Sequence, residues 1–449
     1  MNRLRVTLDG RRRFAFPAAM AVAFVLLAGT ANAQVLTVRC VPSHTISSSC
    51  SATDYTSIQN AVNAAVSGDI VLVGPGTYKE YVTISTDSLS LFGAQAGRDA
   101  REERDDSKKE SIVDASTTGN PTFHITVPFV VIDGFTIRGG SGSSIPAGVF
   151  LEGPAPVSGL QIANNIIEDN GVGVVLFSGQ GDVVERNLIK DNNAGSEGAS
   201  GYGVVAEGGG AEGINDNKFS GNHALAIAIY QETFVTITNN TSEDDGAFVA
   251  SFATQGGLIK HNQGRNFGAK GVLPVIVDDI PAEADAAVNI SFGNQLLEIS
   301  DNDLEEGEGS VSNGIAFTAA FGTSFESFTD SEGVVIKNNR IKGFKSNGIV
   351  AETDPTATTG MTRYSSIVGN EVEDNGQDGI FIEGAGVYNS NISLFDNEAE
   401  GNHVFDCQDT SVATSPGYTL GTHNTWFNNI GNLSYPKGLC TPGRGHEWR

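Results

Sequence analysis

Between Ile162 and Asn429 one short phrase recurs ten times: a bulky apolar residue, two free positions, then an asparagine. It reads Ile162…Asn165, Val184…Asn187, Ile214…Asn217, Ile237…Asn240, Ile259…Asn262, Ile299…Asn302, Ile336…Asn339, Ile367…Asn370, Leu394…Asn397 and Trp426…Asn429. The asparagines lie 22, 30, 23, 22, 40, 37, 31, 27 and 32 residues apart, so 22 is the basic period and longer intervals carry inserted loops. In most copies a second apolar residue follows the asparagine by two, as at Ile167, Ile189, Phe219, Leu304, Ile341 and Val372. Alternation of period two marks strands, not helices.

Between the asparagines runs a second phrase, a small residue followed by an apolar stretch. Gly148-Val-Phe-Leu-Glu152, Gly173-Val-Val-Leu-Phe177, Gly203-Val-Val-Ala-Glu207, Ala226-Ile-Ala-Ile-Tyr230, Gly348-Ile-Val-Ala-Glu352 and Gly379-Ile-Phe-Ile-Glu383 are its clearest copies. A unit this short cannot bury its own apolar face, so copies must stack. Two or three short strands per period, joined by Gly, Asn and Asp corners, predict an all-β solenoid, a single chain coiled as a parallel β-helix. At a rung spacing of about 4.8 Å, the stacked asparagine amides can bond to their counterparts above and below. Each asparagine is also expected to tolerate the left-handed backbone of its corner.

The leading segment reads differently. Residues 1–33 combine Arg3, Arg5 and Arg11 to Arg13, an apolar stretch Ala18 to Gly29, and Ala31-Asn32-Ala33, the pattern of a signal peptide. The apolar stretch is too short for a durable anchor, since a spanning helix needs about 20 residues, and no later segment could span a bilayer. A secreted or periplasmic protein is expected, by the general secretory (Sec) or the twin-arginine (Tat) route. Residues 34–67 form an N-terminal segment with one amphipathic helix at 54–65, placing Ile58, Ala61, Val62 and Ala65 on one face over the first coil. The β-helix is expected over 68–440, with a tail at 441–449. The charged stretch 94–110 reads as a solvated loop.

Three further stretches carry a family likeness: Gly68-Asp-Ile-Val-Leu-Val-Gly-Pro-Gly-Thr-Tyr78, Val131-Ile-Asp-Gly-Phe-Thr-Ile137, and the ending Asp406-Cys-Gln-Asp-Thr410 with Asn424-Thr-Trp-Phe-Asn-Asn429. Together with the ladder they resemble the right-handed parallel β-helix proteins of the pectate-lyase-like superfamily. The resemblance implies a right-handed coil and, as a class of partner, polysaccharide. The catalytic signatures of polygalacturonases, pectin methylesterases and mannuronan epimerases are each incomplete here. Asp278-Asp279, Arg340-Ile-Lys342 and Gln408-Asp-Thr410 stand without their companion motifs.

Charge and cysteine content narrow the partners. The formal net charge is −26, from 53 acidic against 27 basic residues, which disfavours nucleic acid and anionic lipid. Four cysteines in an exported chain read as disulfides, and locality pairs Cys40 with Cys50 and Cys407 with Cys440, one staple at each end. Nothing in the pattern calls for a second subunit, and a monomer is expected.

Alternation also nominates a site. With Val149, Val174, Val204, Ile227, Ile349 and Ile380 facing inward, the fourth position after each small residue faces out. That column is Glu152, Phe177, Glu207, Tyr230, Ser251, Thr318, Glu352 and Glu383. Rings and carboxylates in one row suit a sugar chain, so Glu152, Phe177, Glu207 and Tyr230 are the candidate binding residues. Glu352 and Glu383 fall on successive coils, at about the 5 Å separation of a retaining glycosidase pair, and are the candidate catalytic residues. The acidic insertions between 264 and 335 would wall the cleft. Asp278 and Asp279 are the candidate ligands of a Ca2+ ion, with Arg265, Lys270 or Arg363 as base if the chemistry is a lyase's. Two functions stand: a polysaccharide-binding protein, acting as lyase or glycoside hydrolase if it is an enzyme, and a non-catalytic surface, adhesion or structural solenoid.

Overall fold

The computed structural model describes residues 37–41, 55–102, 104, 106–141, 145–152, 157–194, 200–268, 275–277, 280–282, 285–291, 293–307, 309–317, 330–352, 362–384, 389–411 and 422–443. The leader at 1–33 lies outside them. Within them the chain winds through three long sheets, here called C, A and B in the order each coil visits them. One coil is Val172–Phe177 in sheet C, Val183–Glu185 in A and Leu188–Lys190 in B. The next repeats it as Tyr202–Glu207, Gly213–Asn215 and Lys218–Ser220. Sheets A, B and C contain 16, 14 and 13 strands.

The register is parallel and sets like on like. Val174 pairs with Val204, Val184 with Ile214 and Ile189 with Phe219. All six have no exposed surface, and one apolar core runs the length of the coil. The inward column from Val149 to Ile380 is therefore as expected, and the fold is the right-handed parallel β-helix that the pattern and the resemblance imply.

The ten asparagines form one unbroken ladder at the A-to-B corner. Asn187 Nδ2 donates to Asn217 Oδ1 at 3.0 Å and to Ile162 O at 2.9 Å, while its backbone N–H donates to the same Asn217 Oδ1. The arrangement repeats through Asn240, Asn262, Asn302, Asn339, Asn370 and Asn397 to Asn429. One expectation needs correcting. The left-handed residue is not the stacked asparagine but the one before it: Asn164, Arg186, Asp216, Asn239, His261, Asp301 and Asn338 all have φ of 53–57°. The stacked side chain must point inward, so the bend falls one residue earlier, on a side chain directed away from the core; all of these but Asn164 are at least partly exposed.

A second ladder at the B-to-C corner was not anticipated. Asn170, Asn192 and Asn222 donate in series, and Asp245 ends the run as a pure acceptor. Asn375, Asn402 and Asp406 repeat the device further along.

The ends are closed by local chemistry. The helix α1 (Ile58–Ala64) starts four residues later than the periodicity implied, because Ser57 caps it through Asn60 N–H and Glu80 accepts from the N–H groups of Ile58 and Gln59. Those contacts satisfy donors that would otherwise be orphaned at a helix start. Ile58, Ala61 and Val62 close the first coil. Before the helix, Val38–Val41 adds a rung to sheet A that the alternation did not reveal. At the other end Trp426 fills the core and donates Nε1–H to Asp409 at 2.9 Å. The Cys407–Cys440 disulfide is present, with both residues in the core. Cys40 is also disulfide-bonded, and its expected partner Cys50 lies outside the described residues.

The stretch 94–110 is not simply a solvated loop. The Arg104 side chain is buried, pairs with the carboxylate of Glu110 and donates to the carbonyl of Asn164. A bidentate charge pair plus a backbone acceptor makes its burial tolerable.

Asn240→Ala should strand the N–H groups that Asn217 directs at it and open a gap in the ladder. The expected loss is about 2–4 kcal/mol, read as a lower denaturation midpoint. Asn338→Gly, at the left-handed position of the same corner, should leave the midpoint unchanged.

Candidate functional site

Sheet C carries a long outer face, and its two halves differ. On the earlier rungs the outward positions are apolar: Phe150 pairs with Val175, Val175 with Val205, Val205 with Ala228 and Ala228 with Ala250. Two residues further along each strand, Phe177, Glu207, Tyr230 and Phe252 stand in one column. Tyr230 stacks on Phe252 with ring centroids 4.7 Å apart, and Phe150 meets Phe177 edge-on at 5.6 Å. Glu152 is exposed, and its carboxylate lies 2.8 Å from the His124 ring.

Two expectations change here. Tyr230 was placed in solvent, yet it is 5% exposed and part of a second apolar cluster outside the barrel. Packing against Phe252 and the neighbouring aliphatics removes it from water. Burial, with Tyr202 and Glu207 nearby, holds its phenol well above the usual range. Ser251 does not belong to the outward column. Ile229 pairs with Ser251, whose hydroxyl is buried against Asn294 and Thr254, and Phe252 takes the outer place. Here Phe248 occupies the core position that glycine or alanine fills in earlier coils, so counting from Ala247 slips by one and flips the face.

On the later rungs the column from Phe150 to Ala250 continues as Asn289, Ala316, Val350 and Phe381, while carboxylates take the strand ends. Glu352 and Glu383 do stand on successive coils: Glu352 N–H donates to Phe317 O, and Glu383 N–H to Ala351 O. Asn389 Nδ2 donates to the carbonyls of Ala351 and Glu352 and, at 3.3 Å, to that of Glu383. It thus ties together the two strand ends that carry the pair. Glu352 is half-buried, and burial first, then the charges of Asp285 and Glu383, push its carboxyl up to about 7. A protonated acid beside a second carboxylate is the arrangement general acid catalysis requires.

The insertion region 264–335 is only partly described. Val275–Val277 and Ile280–Ala282 pair as an antiparallel hairpin, while Asp278, Asp279, Lys270 and Thr318 lie outside the described residues. Glu305 and Glu306 are not in a loop. Asp303–Glu305 is a rung of sheet B, and Glu306 is buried, accepting from Phe267 N–H. Arg265 ends the rung Gln263–Arg265 of the same sheet, and Arg363 is paired with Asp330 beside sheet A, so neither faces the sheet C column.

The C-to-A corner holds acids that alternation gave no reason to look for. Asp182, Glu212 and Glu232 come from three successive coils and are buried. Asp182 accepts from Leu160 N–H at 2.7 Å, Glu212 from Gly210 N–H at 2.7 Å and Glu232 from Gly209 N–H at 3.1 Å. Burial raises Asp182 to about 7, and burial together with Glu212 raises Glu232 to about 9. These groups serve the corner, not the outer face.

Residues 63–263, a little under half of the chain, match the sequence profile of a family described as periplasmic copper-binding protein (NosD). No curated protein matches the sequence. Among solved structures, the chain resembles the catalytic domain of a GH87 alpha-1,3-glucanase in complex with tetrasaccharides. That match has a TM-score of 0.59 at 12% identity, over 89% of this chain and 70% of the other. A GH87 alpha-1,3-glucanase domain in complex with nigerose gives 0.56 at 12% identity, with the same coverage of 89% and 70%. An alginate lyase from Paenibacillus sp. gives 0.45 at 12%, over 76% of this chain and 94% of the other. The described residues do not fit copper. Cys40, Cys407 and Cys440 are disulfide-bonded, and among the described residues no group of three or more His, Cys, Asp or Glu is placed to hold a metal ion. Nor is any helix among them long and apolar enough to cross a membrane.

The corner acids set a pH dependence. Because the folded state holds protons on Asp182 and Glu232 that the unfolded chain releases near pH 4–4.5, stability is fullest below that range and falls as pH rises toward 9. Denaturation midpoints should decline between pH 5 and pH 9, and Glu232→Gln should flatten the decline. An unchanged slope in that variant would contradict the assignment.

Proposed function

Because the chain is a right-handed parallel β-helix of the pectate-lyase-like fold, we propose that it is an exported polysaccharide-binding protein whose outer sheet C face hydrolyses a glycosidic bond. The observation that carries this reading is the Glu352–Glu383 pair on adjacent rungs, where the rung spacing is about 5 Å and burial raises the Glu352 carboxyl to about 7. Glu352 would protonate the departing glycosidic oxygen. Glu383 would attack the anomeric carbon, and water would then release the sugar with Glu352 acting as base. Phe177 and Glu207, further along the same face, would receive the rest of the chain, ring on sugar face and carboxylate on hydroxyl. Glu152 and Tyr230 belong to the same column, with the buried Tyr230 supporting the wall more than touching sugar. Export rests on the leader read at 1–33 and on the periplasmic description of the matched family.

A second reading has its own support. The burial of Tyr230 and Phe252 on the outer face is what a purely structural solenoid would also show.

Incubation with neutral and uronate polysaccharides, with and without calcium, followed by assays for reducing ends and unsaturated products, separates the two. Hydrolysis should appear without calcium, and Glu352→Gln or Glu383→Gln should reduce it by about 10²–10⁴-fold. Activity should fall as pH rises through 7, where Glu352 loses the proton it must donate. No product from any polysaccharide, with no gel retardation by them, leaves the structural reading in place.

A further inference from the structure

Each coil turns the C-to-A corner through a residue with positive φ, and these residues align rung on rung. Phe129, Gly159, Gly181, Ala211, Phe234, Gly256, Leu296, Gly333 and Tyr364 are one such column, as the pairings of their neighbours show. At the other two corners the chain fills the equivalent places with Asn, Asp, Gly, Arg and His. All four large apolar residues with positive φ among the described residues, Phe129, Phe234, Leu296 and Tyr364, fall on this one line. A bulky side chain in that conformation is strained, and polar or glycine residues are the ordinary choice.

These four side chains do not enter the core. Their exposures are 57%, 71%, 71% and 65%, among the highest of the large hydrophobic residues. Three of them lie back over a glycine of the next coil. A Cβ on Gly159 would stand 2.6 Å from the Phe129 ring, one on Gly256 2.8 Å from the Phe234 ring, and one on Gly333 3.0 Å from Leu296. The glycines therefore make room for the large residues, which rest along the corner instead of projecting freely. Strain and exposure together find no explanation in folding, and that points to a ligand.

The spacing defines the ligand. Phe234, Leu296 and Tyr364 are separated by two rungs each, about 10 Å, and Phe129 stands four rungs before Phe234, about 19 Å. Every interval is a multiple of two rungs. Beside the row, one residue earlier, Thr233, Gln255, Gln295, Glu332 and Arg363 form a column of hydrogen-bonding groups in which Gln255 and Gln295 are the amides. An extended β-1,4-linked glycan repeats its ring orientation every second sugar, at nearly this interval, and presents alternating apolar ring faces and hydroxyls. The −26 charge of the chain favours an uncharged glycan.

We propose that the C-to-A corner is a second polysaccharide-binding site, on which an extended, neutral β-1,4-linked glycan lies along the solenoid axis over Phe129, Phe234, Leu296 and Tyr364. The site is separate from the sheet C groove and stands whether or not that groove cuts a glycan.

Glycine is the natural residue at these positions, so the test needs no damaged fold. The full chain and the triple variant Phe234→Gly/Leu296→Gly/Tyr364→Gly are run in native gels containing hydroxyethyl cellulose, with dextran and alginate gels as controls. Wild type should be retarded by hydroxyethyl cellulose alone. The triple variant should bind about tenfold or more weakly, with an equal or higher melting temperature. Phe177→Ala/Glu207→Ala, which removes the sugar contacts proposed for the groove, should keep full retardation, so the two sites fail separately. Equal retardation of wild type and triple variant would overturn the proposal, as would a wild type that hydroxyethyl cellulose does not slow. A melting temperature lowered by several degrees would also overturn it, by showing the side chains to be structural. Binding to phosphatidylcholine vesicles, or self-association in light scattering, that the triple variant abolishes would give the row to a membrane or a second copy and refute the glycan.

Discussion

A coil that turns three times in about 22 residues must dispose of the backbone groups at each turn, and this requirement governs the molecule. Strand N–H and C=O groups find partners in the rungs above and below, but corner groups point into the core without water. Asparagine solves this because its amide both donates and accepts. Asn217 accepts from the backbone and side chain of Asn187 and donates onward to Asn240, so one residue type repeats indefinitely. Aspartate accepts but cannot donate when ionised, and so a ladder stops where it occurs. Asp245 and Asp406 stand at such ends.

The same requirement accounts for the acids at the C-to-A corner. There, carboxylates accept the loose N–H groups of Leu160, Gly209 and Gly210. Two such groups side by side in a dry corner cannot both stay ionised, so Glu232 keeps a proton while Glu212 crowds it. An amide would do the work without that liability. Further along, Asn294 takes over, its amide oxygen accepting from Ser251 and Thr254. Perturbed acids usually nominate an active site. In this protein several of them, Asp182, Glu232 and Asp245 among them, are buried in corners, and on the outer face of sheet C it is Glu352 that is raised.

Much of the architecture was legible because a solenoid repeats its errors and its signals alike. The apolar-x-x-Asn phrase located the A-to-B corner ten times over, and the inward column from Val149 to Ile380 followed from alternation alone. What escaped was whatever lacked that redundancy. The B-to-C ladder uses Asn in some coils, Asp in others and glutamate at Glu306, so no single letter recurs. Ser251 was misplaced because one coil puts Phe248 where its neighbours have alanine, and a slip of one residue exchanges inside for outside. Tyr230 reads as outward correctly, but alternation reports only which face a side chain takes. Whether other groups cover that face is a matter of three-dimensional packing, and there Phe252 decides it.

In a stacked coil, stability and recognition are written on different columns. Inward positions and corner amides are fixed by burial, since any change there is felt by the rungs on both sides. Outward positions carry no such debt, and a chain can place rings, acids or glycines there at intervals set only by the rung. The C-to-A corner departs from this economy in an informative way. Glycine would relax the backbone at Phe234, Leu296 and Tyr364, and glycine is what the intervening rungs already use. Holding large apolar groups in a left-handed conformation, exposed, at every second rung runs against both local preference and the hydrophobic effect. Two independent penalties falling on the same three residues, in phase with one another, imply an external object whose own repeat matches two rungs.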